Sequence, residues 1–164
     1  MKLLFIQTGG TIDKDYPKKT DGWAFEIKDP AVKRILKKIS PSFEYKIKTA
    51  TQKDSLEINE IDRKLIFEMC NTAKEKKIII THGTDTIIET AKFLSEIKNK
   101  TIILTGSMRP ERFTNSDASI NIGLAIGGVQ SLEHGIYIAL NGLLIPHNQI
   151  SRNLETGQFK KNRN

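Results

Sequence analysis

The sequence predicts an α/β fold: a three-layer sandwich with a mostly parallel sheet and helices on both faces, in a single domain over residues 1–164. Three observations predict it. Four short apolar runs, Leu3–Ile6, Ile78–Ile80, Ile102–Leu104 and Ile136–Leu140, are bounded by turn residues and have the length of buried strands. Between them the apolar period changes to that of helices. Strand and helix patterns then alternate along the chain, which is the signature of a parallel sheet covered on both sides.

Each element has its own warrant. Phe43, Tyr45 and Ile47 alternate with charged residues, as in a half-exposed edge strand. Val32, Ile35, Leu36 and Ile39 follow Asp29-Pro30, which reads as an N-cap with proline in the first helical position. Ile61, Leu65, Met69 and Ala73 step by four after Asn59, a second capping residue. Ile87, Ala91 and Leu94 follow Thr84-Asp85. Ala118, Ile122, Ala125 and Val129 share a face that begins near Ser116-Asp117.

Composition narrows the class. The 164 residues are 38% hydrophobic and 27% charged, too apolar for a disordered chain, and no run approaches the ~20 residues of a membrane span. The short apolar run at the N-terminus meets Gln7-Thr8-Gly9-Gly10 too soon to form a signal peptide. The single cysteine, Cys70, precludes an intramolecular disulfide and reads as a buried structural thiol. Together these features predict a cytoplasmic protein. The net charge of +7 first suggests nucleic acid. The lysines, however, are interleaved with acids on polar helix faces, without an arginine-rich stripe, so a solvated surface is expected, with no nucleic-acid or membrane partner.

Candidate chemistry gathers at three strand ends. These are Gln7-Thr8-Gly9-Gly10-Thr11-Ile12, Thr81-His82-Gly83-Thr84-Asp85-Thr86 and Thr105-Gly106-Ser107-Met108-Arg109-Pro110. Each offers hydroxyls and a glycine where the chain leaves the sheet. Glycine permits close approach to a ligand, and exposed amides there cradle anions. At one strand end this is equally plain turn chemistry, or a helix cap supplied by Thr84 or Asp85. Three such ends on one edge favour a small-molecule site, since ligands of open α/β sheets bind beyond the carboxyl ends of the strands. The Gly-Lys-Ser/Thr ending of a P-loop and the Gly-x-Gly-x-x-Gly fingerprint are missing. His82, His134 and His147 lack zinc-ligand spacing.

Thr8-Gly9-Gly10-Thr11-Ile12 and Thr81-His82-Gly83-Thr84-Asp85-Thr86 resemble the two signature segments of bacterial-type L-asparaginases, in the family's order and each after a strand. Asp54-Ser55 resembles the family's substrate-binding loop. The segment from Thr105 to Pro110, Asn115-Ser116-Asp117, Asn121 and Leu140-Asn141-Gly142 extend the likeness along most of the chain. It matches the family's larger N-terminal domain, and the smaller C-terminal domain is expected to be absent.

The resemblance implies hydrolysis of the side-chain amide of L-asparagine to aspartate and ammonia, with no metal or cofactor. It implies Thr11 as nucleophile, Thr84 as a second hydroxyl facing the amide, and Asp85 as the holder of the substrate α-amino group. Ser55 matches a residue that binds the α-carboxylate. Gly10, Gly83 and Ser107 belong to the same substrate-binding segments. Asp54 matches a less uniform position and reads equally as a turn residue. Tyr16 is the one tyrosine in the charged loop from Ile12 to about Trp23, a lid in the family, and takes the role of activating the nucleophile; an exposed loop aromatic is the competing reading. The family's lysine partner of the aspartate falls on Arg152, which keeps the charge but does not release a proton near neutral pH. A homo-oligomer, dimer or tetramer, is expected to close the pocket. The alternatives are glutamine or another small amide as substrate, or an amino-acid-binding domain with little turnover.

Overall fold

The computed structural model describes residues 1–17 and 25–162. Its elements in chain order are β1 (Lys2–Gly9), a 3-10 turn (Thr11–Asp13), β2 (Lys14–Asp15), β3 (Glu26–Ile27), α1 (Ala31–Ile39) and β4 (Glu44–Lys53). After a second 3-10 turn (Ser55–Glu57) come α2 (Glu60–Asn71), β5 (Lys77–Thr81), α3 (Ile87–Phe93), β6 (Thr101–Thr105) and α4 (Ala118–Ser131). The chain continues through β7 (Gly135–Leu140), β8 (Leu143–Pro146), a third turn (His147–Gln149), β9 (Ile150–Arg152) and β10 (Phe159–Lys161).

The central sheet runs β4-β1-β5-β6-β7-β8, parallel throughout except for β8, which returns antiparallel to β7. Side chains of alternate residues point to opposite faces, and each face meets its own helices. Leu4, Ile6, Ile78, Ile80, Ile102 and Leu104 pack with Ile66 and Cys70 of α2 and Ile87 and Ala91 of α3. Leu3, Phe5, Ile79 and Ile103 pack with Val32 and Leu36 of α1 and Ile122 and Ala125 of α4. This is the expected three-layer arrangement, and the four apolar runs all lie within its parallel strands. The alternating Phe43–Ile47 stretch leads into β4, an edge strand, as predicted.

Two helices differ in detail from the pattern-based expectation. α1 opens at Ala31, with Pro30 in the cap position. Proline has no side-chain acceptor, and the Ala31 N–H instead donates to Asp13 Oδ1 at 2.6 Å, 18 residues back in the chain. In α2, Asn59 caps as expected, in a reciprocal box with Asp62. The buried face, however, is Asp62, Ile66 and Cys70, while Ile61 and Leu65 are exposed. Lys53 binds both oxygens of Asp62, at 2.8 and 2.9 Å, and draws that carboxylate inward. The residues at four-residue spacing from Asp62 therefore face the core.

The chain leaves β1 toward β4 on one side and leaves β5 toward β6 on the other. Adjacent strands β1 and β5 thus flank the topological switch point, where loops part and open a crevice. Among the described residues, no helix is long and apolar enough to cross a membrane.

Candidate active site

The switch point brings the two threonine-bearing loops together. β1 ends in Gly9 and Gly10, both with positive φ (108° and 82°), a conformation that disfavours any side chain. The reversal turns the chain sharply into the Thr11–Asp13 turn. Gly10 N–H donates to Lys53 O at 2.9 Å, which ties the turn to the end of β4.

Here the glycines serve packing between loops. A Cβ on Gly10 would lie 2.3 Å from the Cα of Gly83, and one on Gly83 would lie 2.6 Å from Ser55 Oγ. The three segments carrying Thr11, Thr84 and Ser55 therefore interlock through close approaches that only glycine permits. The third strand end joins them, because a Cβ on Gly106 would meet the carbonyl of His82 at 2.2 Å. The Thr84 methyl faces Gly106. Among the described residues, neither the Thr11 nor the Thr84 hydroxyl has a hydrogen-bond partner.

Asp85 is held from two directions. Arg152 Nη1 donates to its Oδ1 at 2.5 Å, and Ser55 Oγ donates to its Oδ2 at 3.4 Å. Arg152 is braced in turn: its Nε donates to Gly157 O at 3.3 Å, and its guanidinium lies 5.6 Å from the Phe159 ring centroid. β9 and β10 form the antiparallel pair that supplies this brace. Neither Thr84 nor Asp85 caps α3, whose first turn follows Thr86. The Thr86 hydroxyl donates to Ser55 O at 2.7 Å and ties the two loops once more.

The remaining sequence-derived residues divide. Asp54 caps the Ser55–Glu57 turn and pairs with Lys14 Nζ at 2.7 Å. That lysine holds the Asp54 carboxyl below the usual carboxylate range. Ser107 is buried and donates to Arg109 O, so its hydroxyl serves the strand-end turn. Tyr16 is exposed and rests on Phe25, which in turn contacts Phe113. Its hydroxyl has no hydrogen bond among the described residues. The stretch from 18 to 24, with Gly22 and Trp23 of the expected lid, lies outside the described residues.

Comparison with known proteins agrees with this geometry. Residues 2–160 match the family model described as Asparaginase, N-terminal. The chain belongs to the asparaginase family. The thermostable L-asparaginase from Thermococcus kodakarensis superposes with a TM-score of 0.82 at 29% identity, over 98% of this chain and 51% of that one. A glutaminase-asparaginase from Acinetobacter glutaminasificans is 26% identical over 171 residues, covering 96% of this chain and 52% of the relative. Another, from Pseudomonas aeruginosa, is 33% identical over 104 residues, or 59% of this chain and 29% of the relative. The chain thus spans about half the length of its better-covered asparaginase relatives.

Beside these residues the asparaginase fold carries polar fasteners. His82 is fully buried. Its Nδ1 donates to Gly83 O at 2.8 Å, and its Nε2 pairs with the Thr90 hydroxyl at 2.9 Å. Burial lowers its pKa to about 4, so the ring is neutral. Asn121, also buried, donates to Gly106 O and accepts from Asn141 N–H, which joins the ends of β6 and β7. Asp13 is the third, and burial raises its pKa to about 7. His82 and Asn121 stand within the motifs quoted above. Asp13 lies in an Asp-Lys-Asp run that reads as solvated loop.

Proposed function

We propose that the chain is an amidohydrolase that cleaves the side-chain amide of L-asparagine, with Thr11 as nucleophile. The observation that carries this reading is the glycine interlock. It packs the segments that carry Thr11 and Thr84, whose hydroxyls are uncommitted among the described residues, against the segment of Ser55, which bonds the ion-paired Asp85. Family membership and the names of the relatives support an asparaginase class of reaction.

In this reading Asp85, held by Arg152 and Ser55, receives the substrate α-amino group, and Ser55 takes part in binding the α-carboxylate. The Thr11 oxygen attacks the amide carbon. The C–N bond breaks, and the nitrogen leaves as ammonia with the proton given up by the hydroxyl. Water then cleaves the acyl ester, releasing aspartate and restoring the Thr11 hydroxyl. Thr84 lies beside the reacting amide, and Tyr16 swings in from its place on Phe25 to assist the proton transfer. Arg152 keeps its charge throughout, so it acts by holding Asp85 rather than by passing a proton.

Asp85 keeps 42% of its side chain exposed. A second copy of the chain has room to cover this side of the pocket, and the reading includes a homo-oligomer, to be checked by light scattering. Ammonia release from asparagine by the wild-type chain and by Thr11→Ala tests the reaction. The expected result is turnover by the first and none by the second. Equal release from both, or binding of asparagine without release, overturns it. Glutamine as a parallel substrate reports the pocket's discrimination, which one methylene sets at only about 1–3 kcal/mol.

A further inference from the structure

The segment that carries Thr11 is anchored by a side chain that the reaction above leaves unused. Asp13 stands two residues beyond Thr11 and closes the turn by donating its amide to Gly10 O at 3.1 Å. Its side chain is buried, at 1% exposure. Oδ1 accepts the Ala31 N–H at 2.6 Å, at the end of α1 where unpaired amides concentrate positive charge.

Other groups face the same carboxyl from each packed element. Gln7 of β1 lies against it, and Arg34 of α1 and Glu111 from the segment after β6 act on it electrostatically. Arg34 and Lys38 are committed to Glu111, at 2.6 and 2.9 Å. Asp13 Oδ2 is buried with no partner among the described residues. Asp15, Glu26, Lys28 and Asp29 line the small cavity beside it. The carboxyl is thus surrounded, but one oxygen makes the one directional bond that joins the Thr11 turn to a helix.

We propose that Asp13 is a positioning residue for Thr11, fastening the turn that carries this hydroxyl to the first turn of α1. The proposal rests on the reading of Thr11 as nucleophile. An ordinary helix cap comes from the residue just before the helix and serves the helix. This one comes from 18 residues away, on a turn whose backbone is tied to other segments by Gly10 N–H to Lys53 O and by Glu111 N–H to Ile12 O. α1 also buries Ala31, Val32, Ile35 and Leu36 against the sheet, so the helix is secured without the cap. The turn buries Ile12 in the same cluster, and the Asp13 carboxylate adds the side-chain bond that joins it to the helix terminus.

Asp13→Asn and Asp13→Ala test the proposal, compared by the steady-state kinetics of ammonia release and by hydrogen exchange. Asparagine retains an acceptor for the Ala31 N–H, so kcat and amide protection stay close to wild type. Alanine removes it. Exchange then speeds up at Ala31 and through residues 12–15 but not in β5 or β6, and kcat falls about 10–100-fold with KM little changed, as expected for a misplaced reacting group. If Asp13→Ala does not fold, Ala31→Pro removes the donor instead, at a helix position that tolerates proline, and the same loss of kcat is expected. Wild-type kcat in Asp13→Ala or Ala31→Pro overturns the proposal. So does a loss in Asp13→Asn as large as in Asp13→Ala. If the wild-type chain releases no ammonia, the amidohydrolase reading and the positioning role fall together. If it does and Asp13→Ala matches it, only the positioning role falls.

Discussion

Arg152 Nη1 lies 2.5 Å from Asp85 Oδ1, joining residues 67 positions apart in the chain. The pair fixes one carboxylate oxygen and leaves the other to Ser55. It also brings β9 and β10 against the loop that follows β5. Arginine suits this place because its planar fork serves two acceptors, the Asp85 carboxylate and the Gly157 carbonyl, while its face meets Phe159.

The two possible roles of this cation separate on substitution. If it only holds Asp85, Arg152→Lys keeps the charge and changes turnover by less than about threefold. Arg152→Met leaves a carboxylate without its cation, and kcat/KM drops at least tenfold, equivalent to about 1.4 kcal/mol. A rise in kcat of tenfold or more in Arg152→Lys would show instead that a proton-releasing group belongs at this position. Kinetics of the three proteins with asparagine decide the matter.

Gly10 and Gly83 touch through their backbones, and this contact sets the spacing of the two threonine loops. Gly10→Ala meets both the Gly83 backbone and a φ of 82°, so neither neighbour nor conformation relieves it. A loss of roughly 2–4 kcal/mol is expected by urea unfolding, together with loss of activity. In Gly83→Ala the nearest atoms are the Cβ and Oγ of Ser55, both at 2.6 Å, but Gly83 does not have a positive φ. The expected stability loss is smaller, and the double variant with Ser55→Gly recovers part of it. Equal losses for the two single variants would contradict this account of the packing.

The sheet was legible because its strands announce themselves. Runs such as Ile78–Ile80 and Ile102–Leu104 leave little other choice, and the capping residue Asn59 marks the start of α2. The face of α2 departs from the four-step apolar pattern because its inward side starts with Asp62, a charge that no apolar period reveals. The hairpin into β8 has a local signal in Asn141-Gly142, both at positive φ, the turn that tight hairpins favour. At the site, Thr11, Thr84, Asp85 and Ser55 stand in the quoted motifs and lie on converging loops, and Arg152 reaches Asp85 from the end of β9. Gly10 and Gly83 pack closely against one another, a contact that no motif reveals. Asp13 left no trace, since its burial depends on a helix that begins 18 residues later.

Asp54 combines two roles that substitution can part. Its carboxylate caps the Ser55–Glu57 turn and pairs with Lys14 across to the Thr11 segment. Asp54→Asn keeps a capping oxygen and loses the ion pair. The pair is partly exposed, so the expected change in stability is about 0–1 kcal/mol. Asp54→Ala loses the cap as well, at about 1 kcal/mol more. With both roles internal, KM for asparagine stays within about threefold in Asp54→Asn. A tenfold rise would mean that this carboxylate touches the substrate.

Two buried groups act on stability with opposite sign. Asp13 titrates at about 7 in the folded chain against 3.8 for the ordinary side chain. The folded chain therefore retains a proton that the unfolded chain has released, and this group makes stability fall as pH rises from about 4 to 7. His82 titrates at about 4 against 6.5, so it is neutral when folded while the unfolded imidazole is still charged. Its contribution rises with pH from about 4 to 6.5. The carboxyls of Asp54, Asp62 and Glu111 are held below their ordinary range, and their contributions change mainly at more acid pH. Between pH 4.5 and 6.5 the wild-type profile is therefore expected to be nearly flat, because two slopes cancel. Asp13→Asn leaves the histidine slope, a gain with pH of up to roughly 3 kcal/mol. His82→Asn leaves the carboxyl slope, a loss of similar size. Urea unfolding of the three proteins across this range checks the assignment, and a flat profile in either variant would refute it.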